Sequence, residues 1–150
     1  MAASHSFANN IIEGNLGSKI QGEVISKFNY PWSLSFIDND HLLVATKPGK
    51  LWLVDSFGSK TEVKNIMNVQ YGGQGGMGDV VPHPNFKKNK YIYLSYIASD
   101  DGGKTRYAVV DRAKLNDLKS PKLENRQRIW EQFPAVKGKG HFSHRIVLVL

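Results

Sequence analysis

The residues with the most chemical content lie in the stretch Tyr71-Gly-Gly-Gln-Gly-Gly-Met-Gly-Asp-Val-Val-Pro-His-Pro-Asn-Phe86, where Gln74 stands among five glycines ahead of a short apolar run. Glycine loses more conformational freedom on folding than any other residue, so this density calls for a sharp turn or a close approach of another group. Either purpose presents Gln74, and with it Asp79, at the entrance to a strand. A second constellation, Lys137-Gly-Lys-Gly-His-Phe-Ser-His-Arg145, puts His141 at the end of a glycine-freed loop. Imidazole titrates near neutrality, so His141 has the chemistry of a general base, although a lone histidine equally packs or faces solvent. Of His144 and Arg145, one turns inward and the other faces water, in either order.

Other chemistries fail on spacing. Gly73-Gln-Gly75-Gly-Met-Gly78 formally satisfies a dinucleotide-binding fingerprint, but that site needs a helix directly after it. Pro82 and Pro84 prevent a helix from opening there. His5, His41 and His83 lack metal-ligand spacing, and His83 between prolines reads as a turn-packing residue. Gly-x-Ser-x-Gly is absent. The carboxylate pair Asp100-Asp101 reads as a solvated turn. Asp79 serves either as a structural acceptor for the loop backbone or in catalysis.

The elements that must position these groups are strands. The 150 residues suit one globular domain, and Val, Ile, Tyr and Thr dominate over any helical periodicity. Pro31-Trp-Ser-Leu-Ser-Phe-Ile37 alternates apolar and hydroxyl side chains with period two. Turns at Asp38-Asn-Asp40 and Lys47-Pro-Gly-Lys50 separate it from His41–Thr46 and Leu51–Asp55, with further strands expected over Gly22–Phe28 and Thr61–Met67. The same order then recurs through Gly78–Pro82, Lys90–Tyr96, Tyr107–Asp111 and Gln127–Glu131, and a third cycle opens at His144. Four strands recurring after about 46 to 56 residues is the period of β-propeller blades. The expected fold is therefore all-β: about two four-stranded blades, the start of a third, and too little chain to close a ring. A self-contained β-sandwich is the alternative. Residues 1–18, rich in Ser, Asn and Gly, read as a flexible arm, and residues 19–150 as the N-terminal part of the propeller.

The net charge of +7 comes from lysines and arginines scattered among acidic residues, which favours a solvated surface over a nucleic-acid partner. Without cysteine there is no disulfide and no thiolate metal site. No run is long enough for a transmembrane helix, and the first residues lack the pattern of a secretory signal.

Several motifs in register carry a resemblance: Pro31-Trp-Ser-Leu-Ser-Phe, Leu43-Val-Ala-Thr-x-x-Pro-Gly-Lys-Leu, Gly73-Gln-Gly-Gly-Met-Gly-Asp-Val, His83-Pro-Asn-Phe, Tyr91-Ile-Tyr-Leu-Ser-Tyr and Gly140-His-Phe-Ser-His-Arg. From Pro31 to Leu150 the chain resembles the soluble PQQ-dependent sugar dehydrogenases, aldose sugar dehydrogenases in particular. The resemblance implies a six-bladed propeller with pyrroloquinoline quinone (PQQ) over its funnel, calcium, an aldose substrate, an unidentified electron acceptor and a periplasmic or secreted location. It also implies that His141 is the base and that Gln74 orients sugar and quinone, with Asp79 and Arg145 as structural or site support. No metal ligand is identifiable in this stretch. Two positions depart from the pattern. Gly140 stands where glucose-preferring members carry Asp, which favours broader aldose oxidation, and His144 stands where a small residue is expected. The chain alone is expected to be inactive, and a non-enzymatic propeller that binds a ligand or protein is the competing reading.

Overall fold

Alternating apolar side chains and tight turns fold this chain into antiparallel sheets; the computed structural model describes residues 10–149. The first elements are β1 (Asn10–Glu13) and β2 (Lys19–Gly22), a hairpin turned by Gly14 N–H bonding the Ser18 carbonyl at 2.8 Å. The described part of the arm thus contains regular structure, although Ile11, Ile12 and Ile20 are exposed. Residues 1–9 lie outside the described residues.

The strand expected over Gly22–Phe28 does not form, and only Gly22 belongs to one. This segment instead crosses the back of the first sheet. A Cβ on Gly58 would collide with the Ile25 carbonyl, Lys60 Nζ donates to the Lys27 carbonyl at 2.7 Å, and the Phe28 ring leans on Trp52 with centroids 6.4 Å apart. Side-chain contacts replace a ladder.

The first four-stranded sheet is β3 (Pro31–Phe36), β4 (His41–Thr46), β5 (Leu51–Asp55) and β6 (Lys60–Glu62), in that order. The second runs β7 (Met77–Pro82), β8 (Tyr91–Ala98), β9 (Thr105–Leu115) and β10 (Leu123–Glu131), with β11 (Val136–Lys137) added to the far end of β9. One helical turn, α1 (Phe86–Asn89), occupies the bend expected after His83. Consecutive strands lie side by side in each sheet. That meander is the order of propeller blades, whereas a Greek-key sandwich would bring a distant strand back beside the first. No closed ring forms among the described residues.

The blades share one core. Leu43, Ala45, Leu51 and Leu53 of the first face Met77, Val80, Ile92 and Leu94 of the second, all nearly or completely buried. Each of the larger side chains among them contributes about 1.5–3 kcal/mol on burial, which opposes the ordering cost of the strands. The other face of blade one holds a smaller cluster of Leu42, Val44 and Val54 beneath Phe28 and Trp52.

The alternation on β3 places its faces unexpectedly. Trp32, Leu34 and Phe36 are 52%, 58% and 65% exposed, while the serines meet the neighbouring blade. Ser33 Oγ donates to the Gly78 carbonyl and Ser35 Oγ to the Val80 carbonyl, each at 2.7 Å. The first strands of both blades are thus joined by hydroxyl-to-carbonyl bonds rather than a ladder.

Residues 140–149 form no ladder, so the third inner strand expected from His144 is absent as a paired strand. It keeps the period-two pattern, with Phe142, His144, Ile146 and Leu148 half-buried and their neighbours exposed. No further strand lies beside it among the described residues to complete the pairing.

The Asp100-Asp101 pair does more than meet solvent. Asp101 accepts from the Thr105 N–H and hydroxyl and from the Ser99 hydroxyl, and these bonds hold its carboxyl well below the usual range. Asp100 accepts the Tyr107 hydroxyl at 2.8 Å. Together the two carboxylates staple the turn between β8 and β9.

Candidate active site

The glycine loop between β6 and β7 is pinned from two sides. The Gln74 N–H donates to the Lys139 carbonyl at 3.1 Å, and the Met77 N–H to the Lys47 carbonyl at 2.9 Å. Both contacts explain glycines. Gly73 has φ +58° and Gly76 φ +144°, and a Cβ on either would collide with the carbonyl of Lys139 or Lys47 respectively. The loop carrying Gln74 and the loop leading to His141 are therefore neighbours. Gln74 and His141 themselves are exposed.

A cavity of about 340 Å³ opens nearby, and Gln74 and His141 are not among the residues that line it. Trp32 and Ser33 of β3, Gly78 and Asp79 of β7, and Phe142, His144 and Arg145 line it. Lys47 Nζ lies 4.6 Å above the Trp32 ring and donates to the Gly73 carbonyl at 3.0 Å. Aromatic planes and cations thus stand together at one end of the inner strands.

Asp79 is committed to the frame. Its Oδ1 accepts the Val80 N–H at 3.0 Å, its Oδ2 accepts the Ile146 N–H at 3.0 Å, and its own N–H donates to Ser95 Oγ at 2.8 Å. Ser95 Oγ in turn donates to the His144 carbonyl at 2.6 Å. Arg145 lines the cavity but its side chain is exposed, so His144 is the member of the pair that turns inward. Burial depresses the His144 imidazole below its ordinary range and Lys47 adds to this, while the Gln74 backbone and Asp79 pull the other way.

Four residues of this region, Trp32, Lys47, Phe142 and His144, are not singled out as site residues by sequence motif. Gly78 carries the available signal, since a glycine inside a strand marks a close approach by another group. His41 and His83 are structural. His83 Nδ1 accepts the Asn85 N–H at 2.9 Å and its ring stacks on Tyr93; His41 Nδ1 lies 3.0 Å from Asp38 Oδ1. Among the described residues no group of three or more His, Cys, Asp or Glu side chains is placed to hold a metal ion. No helix among the described residues is long and apolar enough to cross a membrane. A separate cavity of about 360 Å³, against Phe28 and Trp52 with Lys50 and Lys60, shares no lining residue with the one at Gly78 and Asp79.

Comparison with known proteins agrees with the blades and motifs. The family model described as Glucose / Sorbosone dehydrogenase matches residues 28–149. The chain belongs to that family. It is 32% identical over 124 residues to the aldose sugar dehydrogenase YliI of Escherichia coli, covering 81% of this chain and 33% of that protein. The crystal structure of the soluble aldose sugar dehydrogenase from Escherichia coli in the apo-form superimposes with a TM-score of 0.73 at 28% identity, over 80% of this chain and 35% of that one. The PQQ-bound aldose sugar dehydrogenase from Streptomyces coelicolor shares the fold, with a TM-score of 0.62 at 21% identity over 72% of this chain and 32% of that one. The chain spans about a third of the length of the curated relatives it matches.

Proposed function

We propose that this chain is the N-terminal part of an enzyme that oxidises aldose sugars to lactones with PQQ as the electron-accepting cofactor. The observation that carries the reading is the junction of the Gln74 and His141 loops, fastened by the Gln74 N–H to Lys139 carbonyl bond, in a member of the glucose/sorbosone dehydrogenase family. Similarity to aldose sugar dehydrogenases, one of them PQQ-bound, supports the substrate class and the cofactor.

The cavity suits a flat anionic quinone. Trp32 and Phe142 offer aromatic surface, and Lys47 and Arg145 offer positive charge for carboxylates. When bound there, PQQ supplies the acceptor for the hydride leaving the anomeric carbon. His141 takes the proton of the anomeric hydroxyl on an imidazole nitrogen as that C–H bond yields hydride, and the C1–O bond becomes the lactone carbonyl. Gln74 holds the sugar hydroxyls in orientation through its amide, and Asp79 keeps the cavity lining in register through Ile146. Calcium does not fit the donors of the described residues, among which no cluster of carboxylates is placed to bind it.

The test uses the full polypeptide that carries this segment, supplied with PQQ and calcium, with dye reduction followed over a panel of aldoses. Oxidation of several aldoses is expected, and His141→Ala should lower kcat by about 10²- to 10⁴-fold, the usual worth of a general base. Full activity in His141→Ala would remove the proposed base. A wild-type polypeptide that binds PQQ yet oxidises no aldose would remove the substrate class.

A further inference from the structure

One peptide group in the glycine loop is gripped at both ends. The carbonyl of Gly73 accepts from Lys47 Nζ at 3.0 Å, and the N–H of the next residue, Gln74, donates to the Lys139 carbonyl at 3.1 Å. These are the two ends of one planar amide. The first partner comes from the turn between β4 and β5, and the second lies two residues ahead of His141. Gly73 makes the close approach possible, since its φ is +58° and a Cβ there would collide with the Lys139 carbonyl.

Lys47 reaches the loop from a fixed base. Its backbone N–H donates to the Tyr30 carbonyl at 3.0 Å, and its backbone carbonyl accepts the Met77 N–H at 2.9 Å. Its ammonium also stands 4.6 Å above the ring of Trp32, which lines the cavity. One residue thus holds the loop at two points, by its side chain at Gly73 and by its main chain at Met77. A cation on the Gly73 carbonyl polarises that amide and makes the Gln74 N–H a better donor, so the two bonds on this peptide strengthen each other.

We infer that Lys47 is a positioning residue: through the Gly73–Gln74 peptide, its ammonium sets the placement of Gln74 against the loop that carries His141. The inference rests on the reading of Gln74 as the sugar-orienting residue and His141 as the base. Lys47 exchanges no proton with the sugar in this role. Without the ammonium, the peptide keeps Lys139 as a partner but loses its tie to blade one, and glycines on either side of Gln74 leave it free to rotate.

The test follows amide hydrogen exchange in the full polypeptide without cofactor, and aldose kinetics at a PQQ concentration that saturates each variant. In Lys47→Met, which keeps most of the stem and removes the ammonium, the Gln74 amide should exchange about tenfold faster or more. The Met77 amide is the internal control, because its bond is to the Lys47 main chain, and it should stay within about twofold of wild type. With PQQ saturating, kcat for a monosaccharide should fall by about tenfold. Lys47→Arg restores a cationic donor and should recover slow exchange at Gln74 and most of kcat. An unchanged Gln74 amide in Lys47→Met overturns the inference, as does equal acceleration at Met77, which would mean that the whole turn has loosened. Faster exchange at Gln74 with kcat unchanged overturns it too, for the peptide would then not set the catalytic geometry. If the exchange results hold and the wild-type protein oxidises no aldose, the clamp on Gln74 stands and the sugar reading falls.

Discussion

Asp79 and Ile146 are joined by a single charge-assisted hydrogen bond of 3.0 Å, from the backbone N–H of a segment without a ladder to the carboxylate of an inner strand. Residues 140–149 have no strand partner, so this bond and the Ser95–His144 bond hold the segment to blade two beyond the point where the Gln74–Lys139 bond fastens the loop ahead of His141. Position on the far side of His141 therefore depends on two side chains, Asp79 and Ser95, neither of which needs to touch a sugar.

Asp79→Ala should release that segment. Loss of a charge-assisted bond with its neighbouring Val80 contact is expected to cost about 1.5–3 kcal/mol, read as a lower urea midpoint. Limited proteolysis should then cut near residues 140–149 before any other described part of the chain. Asp79→Asn keeps one acceptor oxygen and should lose about half as much.

The Tyr96 hydroxyl, buried in blade two, donates to Asp111 Oδ2 at 2.8 Å, and its own oxygen accepts from Arg128 Nη2 at 3.3 Å. Burial, and after it the bond to Asp111, push the phenol up to about 12 from an ordinary value of 10.0. Between those values the unfolded chain has released a proton that the folded chain retains, so folding is favoured less as pH rises. The melting temperature should hold up to about pH 10 and fall between roughly pH 10 and 12, in step with loss of the most alkaline step in the 295 nm tyrosine titration. A melting temperature flat across that window would mean that Tyr96 titrates like a free phenol.

Gly58 has φ +83°, and a Cβ there would run into the Ile25 carbonyl. Gly58→Ala should therefore detach residues 23–30 from the back of blade one, at a cost above the about 1 kcal/mol typical of a glycine effect alone. Trp52 fluorescence reports the loss, since the Phe28 ring that leans on it belongs to the same segment.

The exposed stripe of Trp32, Leu34 and Phe36 should make the 150-residue chain self-associate. Replacing Leu34 and Phe36 with Ser is expected to shift sedimentation toward monomer while moving the melting temperature by about 1 kcal/mol equivalent or less, because neither side chain is part of the shared core. Ser33→Ala and Ser35→Ala should do the opposite: little change in association, and about 1 kcal/mol lost for each bond to β7.

The blades were legible because turn residues are a local property, and β4, β5 and β8 begin and end close to the turns that bound them. The direction in which β3 faces was not, since serines on an inner strand reveal their partners only when Gly78 and Val80 come alongside. Residues 22–28 look like a strand because they carry strand-forming residues, yet a strand needs a neighbour with free backbone groups, and here side chains occupy that surface. In the site, Gln74 and His141 stand out by motif. His144 does not, because its setting depends on a glycine in another blade and on no local pattern.

The two serine bonds connect positions the same distance apart in sequence, Ser33 with Gly78 and Ser35 with Val80, 45 residues in each case. Equivalent points of successive blades are thus laid against each other like teeth of one gear pitch. Loops at the outer turns can lengthen without disturbing that engagement, whereas one residue inserted between Ser33 and Ser35 would turn a hydroxyl away from its carbonyl. The blade is accordingly a cassette with a fixed coupling at its inner edge, and grafting one blade for another should succeed only where a hydroxyl pair and its facing carbonyls are moved as a unit.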